Sequence, residues 1–186
     1  MMNTKNYYCF ANRVHRCPKP KVGLFIGRFQ PFHNIHLKVI KLLYKYCDFL
    51  LIGVGSPDKK YTKDNPFSYN ERKKMIQNTL KHHKIEDYYV YPIPDAEGFD
   101  HVWVSYIEGN LPHFDYVFSG NKWVLNSFRK YTSTQEKPKI KPLQLIKGLN
   151  GTKIRELISS NQRWDSNVPS EVKKYIKTKL WRLTKK

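Results

Sequence analysis

From Val22 onward the chain alternates short, almost wholly apolar runs with longer stretches in which apolar residues recur every three or four positions. The run VGLFIG, residues 22–27, predicts a buried strand that closes on glycine. Residues 34–46 follow, with Leu37, Ile40, Leu43 and Tyr44 near helical spacing. Residues 48–55 are nearly continuous in hydrophobic character, as in a parallel strand covered on both faces. After a polar loop to Phe67, the pattern predicts a helix over 69–82, a strand over 88–94 and a helix over 101–108. A fourth strand is expected over 116–120, a helix over 121–129 and a β-rich stretch near 140–145. Two helices, 152–160 and 170–180, complete the pattern.

Strands alternating with helices of ~10–15 residues are the mark of βαβ units. The expected fold class is therefore α/β, a Rossmann-like parallel sheet flanked by helices. Residues 1–20 stand outside the alternation and read as a mobile N-terminal extension, with 21–186 as a single domain. Ligands in such sheets bind beyond the carboxyl ends of the strands, at a topological switch point. Candidate functional residues are accordingly those that follow strand ends.

Composition narrows the class without changing it. With 186 residues, 40% hydrophobic and 15% aromatic, the chain suffices for one well-buried core and is short for two ordinary domains. No apolar run approaches the ~20 residues of a membrane span, and the first residues lack the apolar stretch of a secretory signal. Cys9, Cys17 and Cys47 form no CxxC pair. This argues against a disulfide framework or a zinc knuckle and for a reducing compartment, the cytoplasm or alternatively the nucleus.

Charge adds a partner class. The formal net charge is +19 and unevenly spread: residues 1–47 hold nine Lys/Arg and no acid, and residues 137–186 hold fourteen against three. Such asymmetry points to a polyanion: nucleic acid, an acidic membrane or a phosphate-rich small ligand. A lysine-rich coding bias accounts equally well for scattered charge. No RNP, KH, zinc-finger or helix-turn-helix signature accompanies the charge, which weighs against nucleic acid.

The first predicted strand runs directly into GRFQPFHNIH, residues 27–36. Gly27, Arg28 and Gln30 thus lie in a strand-to-helix loop, with His33 and His36 three apart on one face of the first helical turn. The amino end of a helix favours anions, and two imidazoles beside an arginine are placed to donate to phosphate oxygens. As a zinc site the pair lacks a third ligand at suitable spacing. Each histidine alone is alternatively readable as a structural group.

GRFQPFHNIH resembles the signature of the HxGH nucleotidylyltransferase superfamily and, more narrowly, that of the archaeal-type nicotinamide-nucleotide adenylyltransferases. Four later blocks are similar to that family in order and spacing: NPFSYNERKKMI (65–76), WVSY (103–106), YVFSGN (116–121) and GTKIR (151–155). The resemblance covers roughly residues 22–180. The chain departs from it in places: Ile35 stands where the family has the glycine before its second histidine, Asp58 where relatives often have Gln, Tyr61 for their histidine and Asn150 for the customary serine.

The resemblance implies adenylyl transfer from ATP to nicotinamide mononucleotide (NMN), giving NAD and pyrophosphate by in-line attack without a covalent intermediate. A phosphate nucleophile is largely ionised at pH 7, its second pKa lying near 6, so catalysis rests on positioning and charge neutralisation. His33, His36 and Arg155 are the expected catalytic residues. Gly27, Arg28, Gln30, Ser119, Gly120, Asn121 and Thr152 are expected around ATP, with Thr152 alternatively an ordinary helix cap. Trp103 is expected against the pyridine ring by stacking and cation–π attraction, with a buried core tryptophan as the alternative. Lys59, Lys60 and Lys63 read either as charge near the substrate phosphate or as a solvated loop, and Glu71 with Arg72 as a bracing pair. Magnesium is expected through the ATP phosphates rather than a protein ligand set, and a homo-oligomer is expected. Transfer to FMN or phosphopantetheine, cytidylyl transfer, and nucleic-acid binding are the alternatives.

Overall fold

The computed structural model describes residues 19–143 and 150–179. The expected N-terminal extension up to residue 18, the end of the β-rich stretch at 144–145 and residue 180 lie outside them. The elements alternate as β1 (Val22–Gly27), α1 (Asn34–Leu43), β2 (Phe49–Gly55), α2 (Tyr69–His82), β3 (Tyr88–Ile93), α3 (Asp100–Asn110), β4 (Tyr116–Ser119), α4 (Lys122–Tyr131), β5 (Lys139–Pro142), α5 (Gly151–Ser159) and α6 (Ser170–Lys177). A short 3-10 turn, Asp165–Asn167, precedes α6.

The five strands form one parallel sheet in the order β3-β2-β1-β4-β5. Chain order reverses at β1: β2 lies on one side and β4 on the other, in register through Leu24↔Leu51 and Leu24↔Val117. A crevice forms at such a reversal, because the connections leave β1 and β4 toward opposite faces.

Both faces of the sheet are buried, and the strict alternation of strand side chains divides the core. Phe25, Leu50, Ile52 and Phe118 point to one face, where they meet Leu37 and Ile40 of α1, Met75 and Ile76 of α2, Ile154 of α5 and Val172 of α6. Leu24, Ile26, Leu51 and Val117 point to the other, against Trp103, Val104 and Ile107 of α3 and Val124 and Phe128 of α4. Cys47 is buried beneath the first face, and its Sγ–H donates to the Leu43 carbonyl at 3.2 Å. Burial pushes this thiol up to about 11, assisted by the nearby Asp48 and Asp115. Gly23 is required beside it: a Cβ there would lie 2.8 Å from the Cys47 sulfur and 2.9 Å from the Phe118 ring.

Helix α2 has the bounds its sequence predicts, because Ser68 and Glu71 form a reciprocal capping box at its start. Helix α1 stops at Leu43 rather than 46, where the amides of Tyr46 and Cys47 both turn back onto the Leu43 carbonyl. Helix α3 runs on to Asn110, past its predicted end at 108, and stops just ahead of Leu111-Pro112.

Candidate active site

A cavity of about 740 Å³ opens at the carboxyl ends of β1, β2 and β4. Its size is that of a small-molecule site. Three helices present their amino ends to it, since the cap residues His33 (α1), Asn121 (α4) and Asn150 (α5) all line its wall. Asn121 Oδ1 accepts from the Trp123 amide at 2.9 Å, and Asn150 Oδ1 from the Lys153 amide at 2.9 Å. Each amino end leaves backbone donors and a partial positive charge directed at one space. That arrangement suits an anion.

Two strand ends are bent to build this wall. Phe29, two residues past β1, and Ser56, just past β2, are buried in left-handed backbone with φ of 51° and 50°. Such a conformation is uncommon outside glycine and needs support. The support is Arg72 of α2, which is fully buried and donates to the carbonyls of Arg28, Gly55, Ser56 and Ser68. The first three flank the two left-handed residues. Burial lowers the Arg72 pKa to about 10, so the guanidinium stays charged at neutral pH. Glu71, the other half of the expected interhelical or loop-bracing pair, caps α2 and accepts from the Tyr175 hydroxyl of α6 at 3.2 Å.

The loop after β1 carries Gly27, Arg28 and Gln30 to the cavity. Gln30 is buried, and its amide pairs with the backbone of Phe67 in both directions, at 2.7 and 3.1 Å. This pins the loop to the one that precedes α2. His33 and His36 stack with ring centroids 3.6 Å apart, and His36 packs edge-on against Phe29 at 4.7 Å. Burial pushes His33 down to about 4. His36 is held well below its usual value by burial and then by its neighbour His33. Both rings are therefore neutral at pH 7. His36 Nδ1 accepts from the His33 amide at 3.2 Å, so its proton sits on Nε2. Ile35, between them, is buried in the cavity wall.

Arg155 reaches back from α5 to the same loop. Its Nη1 donates to the Gln30 carbonyl at 2.9 Å, and its Nη2 donates to Thr152 Oγ1 at 3.1 Å with Asp64 Oδ1 at 3.5 Å. Gly151 allows this approach, for a Cβ there would stand 2.9 Å from the Gln30 carbonyl oxygen. Burial and the neighbouring Arg28 lower the Arg155 pKa, and Asp64 partly offsets them. Thr152 is not the cap of α5, a correction to that alternative reading. Asn150 is, which explains how this chain does without the usual serine.

Ser119 ends β4 at the cavity and Gly120 follows it, with Ser119 Oγ accepting from the Asn121 amide at 3.1 Å. Trp103 lines it too, its Nε1 donating to the Pro94 carbonyl at 2.7 Å. All the sequence-predicted site residues thus meet in one place. Lys59 turns to Asp95, at 2.7 Å, and Lys60 lies over the Tyr61 ring. Sequence reasoning missed Asp95 and Trp123, both on the wall. Asp95 follows β3 and accepts from Ser56 Oγ at 2.7 Å. Burial would raise its pKa, but the bonds from Lys59 and Ser56 outweigh this and hold it low. Their signal was positional: each lies within four residues of a strand's carboxyl end.

The family model described as cytidylyltransferase-like matches residues 24–162. A nicotinamide-nucleotide adenylyltransferase of Methanococcus aeolicus is 44% identical over 150 residues, 81% of this chain and 84% of that one. Another, from Thermoplasma acidophilum, is 38% identical over 162 residues, covering 85% and 86%. The chain belongs to the nicotinamide-nucleotide adenylyltransferase family. Among solved structures, a bifunctional NMN adenylyltransferase/ADP ribose pyrophosphatase from Francisella tularensis, complexed with AMP and a manganese ion, superposes with a TM-score of 0.68 at 20% identity. A second structure of that bifunctional protein gives 0.71 at the same identity. Each match covers 89% of this chain and 52% of the other, so this chain spans about half the length of the bifunctional protein. At this identity the likeness is one of fold.

Proposed function

We propose that the protein transfers the adenylyl group of ATP to nicotinamide mononucleotide, giving NAD and pyrophosphate. The observation that carries this reading is the convergence of three helix amino ends with Arg28, His33, His36 and Arg155 on a cavity that is also lined by the indoles of Trp103 and Trp123. The 5′-phosphate of the acceptor attacks the α-phosphorus of ATP. A new P–O bond forms at the α-phosphorus, and its bond to the α,β-bridging oxygen breaks, so that the β- and γ-phosphates leave together as pyrophosphate. The nucleophile is already ionised, so the site needs no general base. Its task is to hold two anions in line and to neutralise charge on the transferring group and the leaving pyrophosphate.

His36 Nε2–H and the amino end of α1 would meet the ATP phosphates, with His33 beside them. Arg28, an exposed residue of the cavity lining, would add charge, and Gln30 keeps the loop in shape through Phe67. Arg155 and Thr152 would grip the leaving pyrophosphate at the start of α5, Arg155 exchanging Asp64 for phosphate oxygens. Gly27 and Ser119–Asn121 would border the adenosine half, and Trp103 the pyridine end. Magnesium would enter with ATP, held by phosphates and water. Among the described residues no three His, Cys, Asp or Glu side chains are grouped as for a metal ion, and Asp95 in the wall is engaged by Lys59 and Ser56. We take residues 21–186 as one catalytic domain, working as a homo-oligomer in the cytoplasm.

Purified protein supplied with ATP, magnesium and an acceptor panel tests this. NAD formed from NMN supports the assignment. Pyrophosphate released only with FMN or phosphopantetheine would reassign the acceptor, and none with any acceptor would refute transfer.

A further inference from the structure

Arg155 is held by two neutral partners and one charged one. The Gln30 carbonyl and Thr152 Oγ1 take its fork at 2.9 and 3.1 Å, and among the described residues its one ion pair is with Asp64, at 3.5 Å. The two ends of that pair differ: the Arg155 side chain is 10% exposed and that of Asp64 76%. A long contact between a fixed, buried cation and a carboxylate standing in solvent is worth little and yields readily. The position of Asp64 is nevertheless built. The Thr62 amide donates to the Asn65 carbonyl at 3.2 Å and the Asn65 amide to Thr62 Oγ1 at 3.1 Å, which closes a turn with Asp64 inside it. Two residues beyond Asn65, Phe67 exchanges bonds with the Gln30 side chain. Gln30 thus fixes both members, its side chain the loop that carries Asp64 and its carbonyl the arginine.

We propose that Asp64 is an internal competitor for pyrophosphate: its carboxylate occupies the Arg155 fork of the empty enzyme, gives way to the β- and γ-phosphates of ATP, and returns to the fork as pyrophosphate departs. The inference rests on the leaving group proposed above and concerns its release. A site built to neutralise phosphate charge holds its product by the same contacts, and departure of product limits turnover in many enzymes. A carboxylate beside the fork offsets that hold, because the apparent affinity of any ligand needing the fork falls with the fraction of enzyme in which the fork is open. It also supplies an anion as the phosphate leaves, so the buried guanidinium is not left without a counter-charge. Arg28, which shares the cavity and stands near enough to lower the Arg155 pKa, makes that counter-charge the more useful.

The test is calorimetric titration of inorganic pyrophosphate, with magnesium present, into wild type and variants. Asp64→Asn keeps the size of the side chain and removes its charge, and it should bind pyrophosphate about threefold or more tightly than wild type. Asp64→Ala should do the same, and it carries the test if the asparagine variant does not fold. Arg155→Ala should weaken binding, and Asp64→Asn added to it should leave that weaker affinity within twofold, because the competition acts through the fork. Unchanged affinity in the Asp64 variants overturns the proposal. So does weaker binding, which marks Asp64 as a brace for Arg155, and so does equal tightening with and without Arg155, which marks a general field. Wild-type protein that does not bind pyrophosphate also overturns it. The readout needs no acceptor: if no NAD is made from ATP and NMN while these affinities hold, the assigned acceptor fails and the competition at Arg155 stands.

Discussion

A neutral imidazole donates a single hydrogen bond, and at His36 the backbone of His33 decides which nitrogen does so. With Nδ1 occupied, Nε2–H is the group left to meet a phosphate. His36→Ala should therefore lower kcat/KM by roughly 10²-fold or more, about 2.7 kcal/mol of transition-state stabilisation, and His33→Ala should do at least as much. Steady-state kinetics within threefold of wild type would remove either ring from the chemistry. The fork of Arg155 spans the Gln30 carbonyl and Thr152, so the role proposed for it draws on geometry as well as charge. Arg155→Lys should recover only part of the activity lost in Arg155→Ala, because an ammonium has no planar fork. Full activity of the lysine variant in the same assay would show that charge alone suffices. The two histidines were legible because they follow the first apolar run, whose end marks the sheet's rim, and Arg155 through the resemblance of GTKIR to a family block. Trp123 was not: its partner Asp100 is 23 residues away, and only packing of α3 on α4 brings the two together.

Among the elements, α2 does more than cover the sheet. Through Arg72 it ties together the ends of β1 and β2, which bear the loops of the cavity. Arg72→Met would leave several buried carbonyls without a donor and two left-handed residues without support. We expect a loss of about 3–5 kcal/mol in urea unfolding and a fall in kcat/KM with it. Arg72→Lys should regain little, for one ammonium cannot reach carbonyls on three segments. Sequence reading located α2 well because its start signal, Ser68 with Glu71, is local. It expected a brace at Arg72 but did not foresee four backbone acceptors, since these come from loops that meet only in three dimensions. The end of α1 was misjudged for a similar reason: Tyr44 continues the apolar period, yet the chain turns at Leu43 to bury Cys47.

For the whole molecule, the class of fold was readable from alternation, whereas the strand order was not, because periodicity says nothing of which strand pairs with which. The folded protein also answers to pH through its site. In the unfolded chain His33 takes up a proton near pH 6.5, but the folded protein refuses it until about pH 4. Stability from this group is complete above pH 6.5 and is lost as pH falls through that window, by about 2 kcal/mol at pH 5. His36 acts in the same direction. Urea unfolding at pH 7.5 and pH 5 should show this loss, and His33→Asn should shrink it by a similar amount. An equal pH dependence in both proteins would mean that the imidazole is charged in the folded state.

The thiol beneath β1 has a practical consequence. Cys47 is shielded, held by the Leu43 carbonyl and kept protonated far above neutral pH, so it is inert toward alkylating and disulfide reagents while the fold is closed. With Cys9 and Cys17 replaced by serine, the rate at which such a reagent consumes Cys47 becomes a clock for the opening of the β1–α1 unit. Saturating ATP, if it bridges the amino ends of α1 and α5, should slow that clock in proportion to its occupancy.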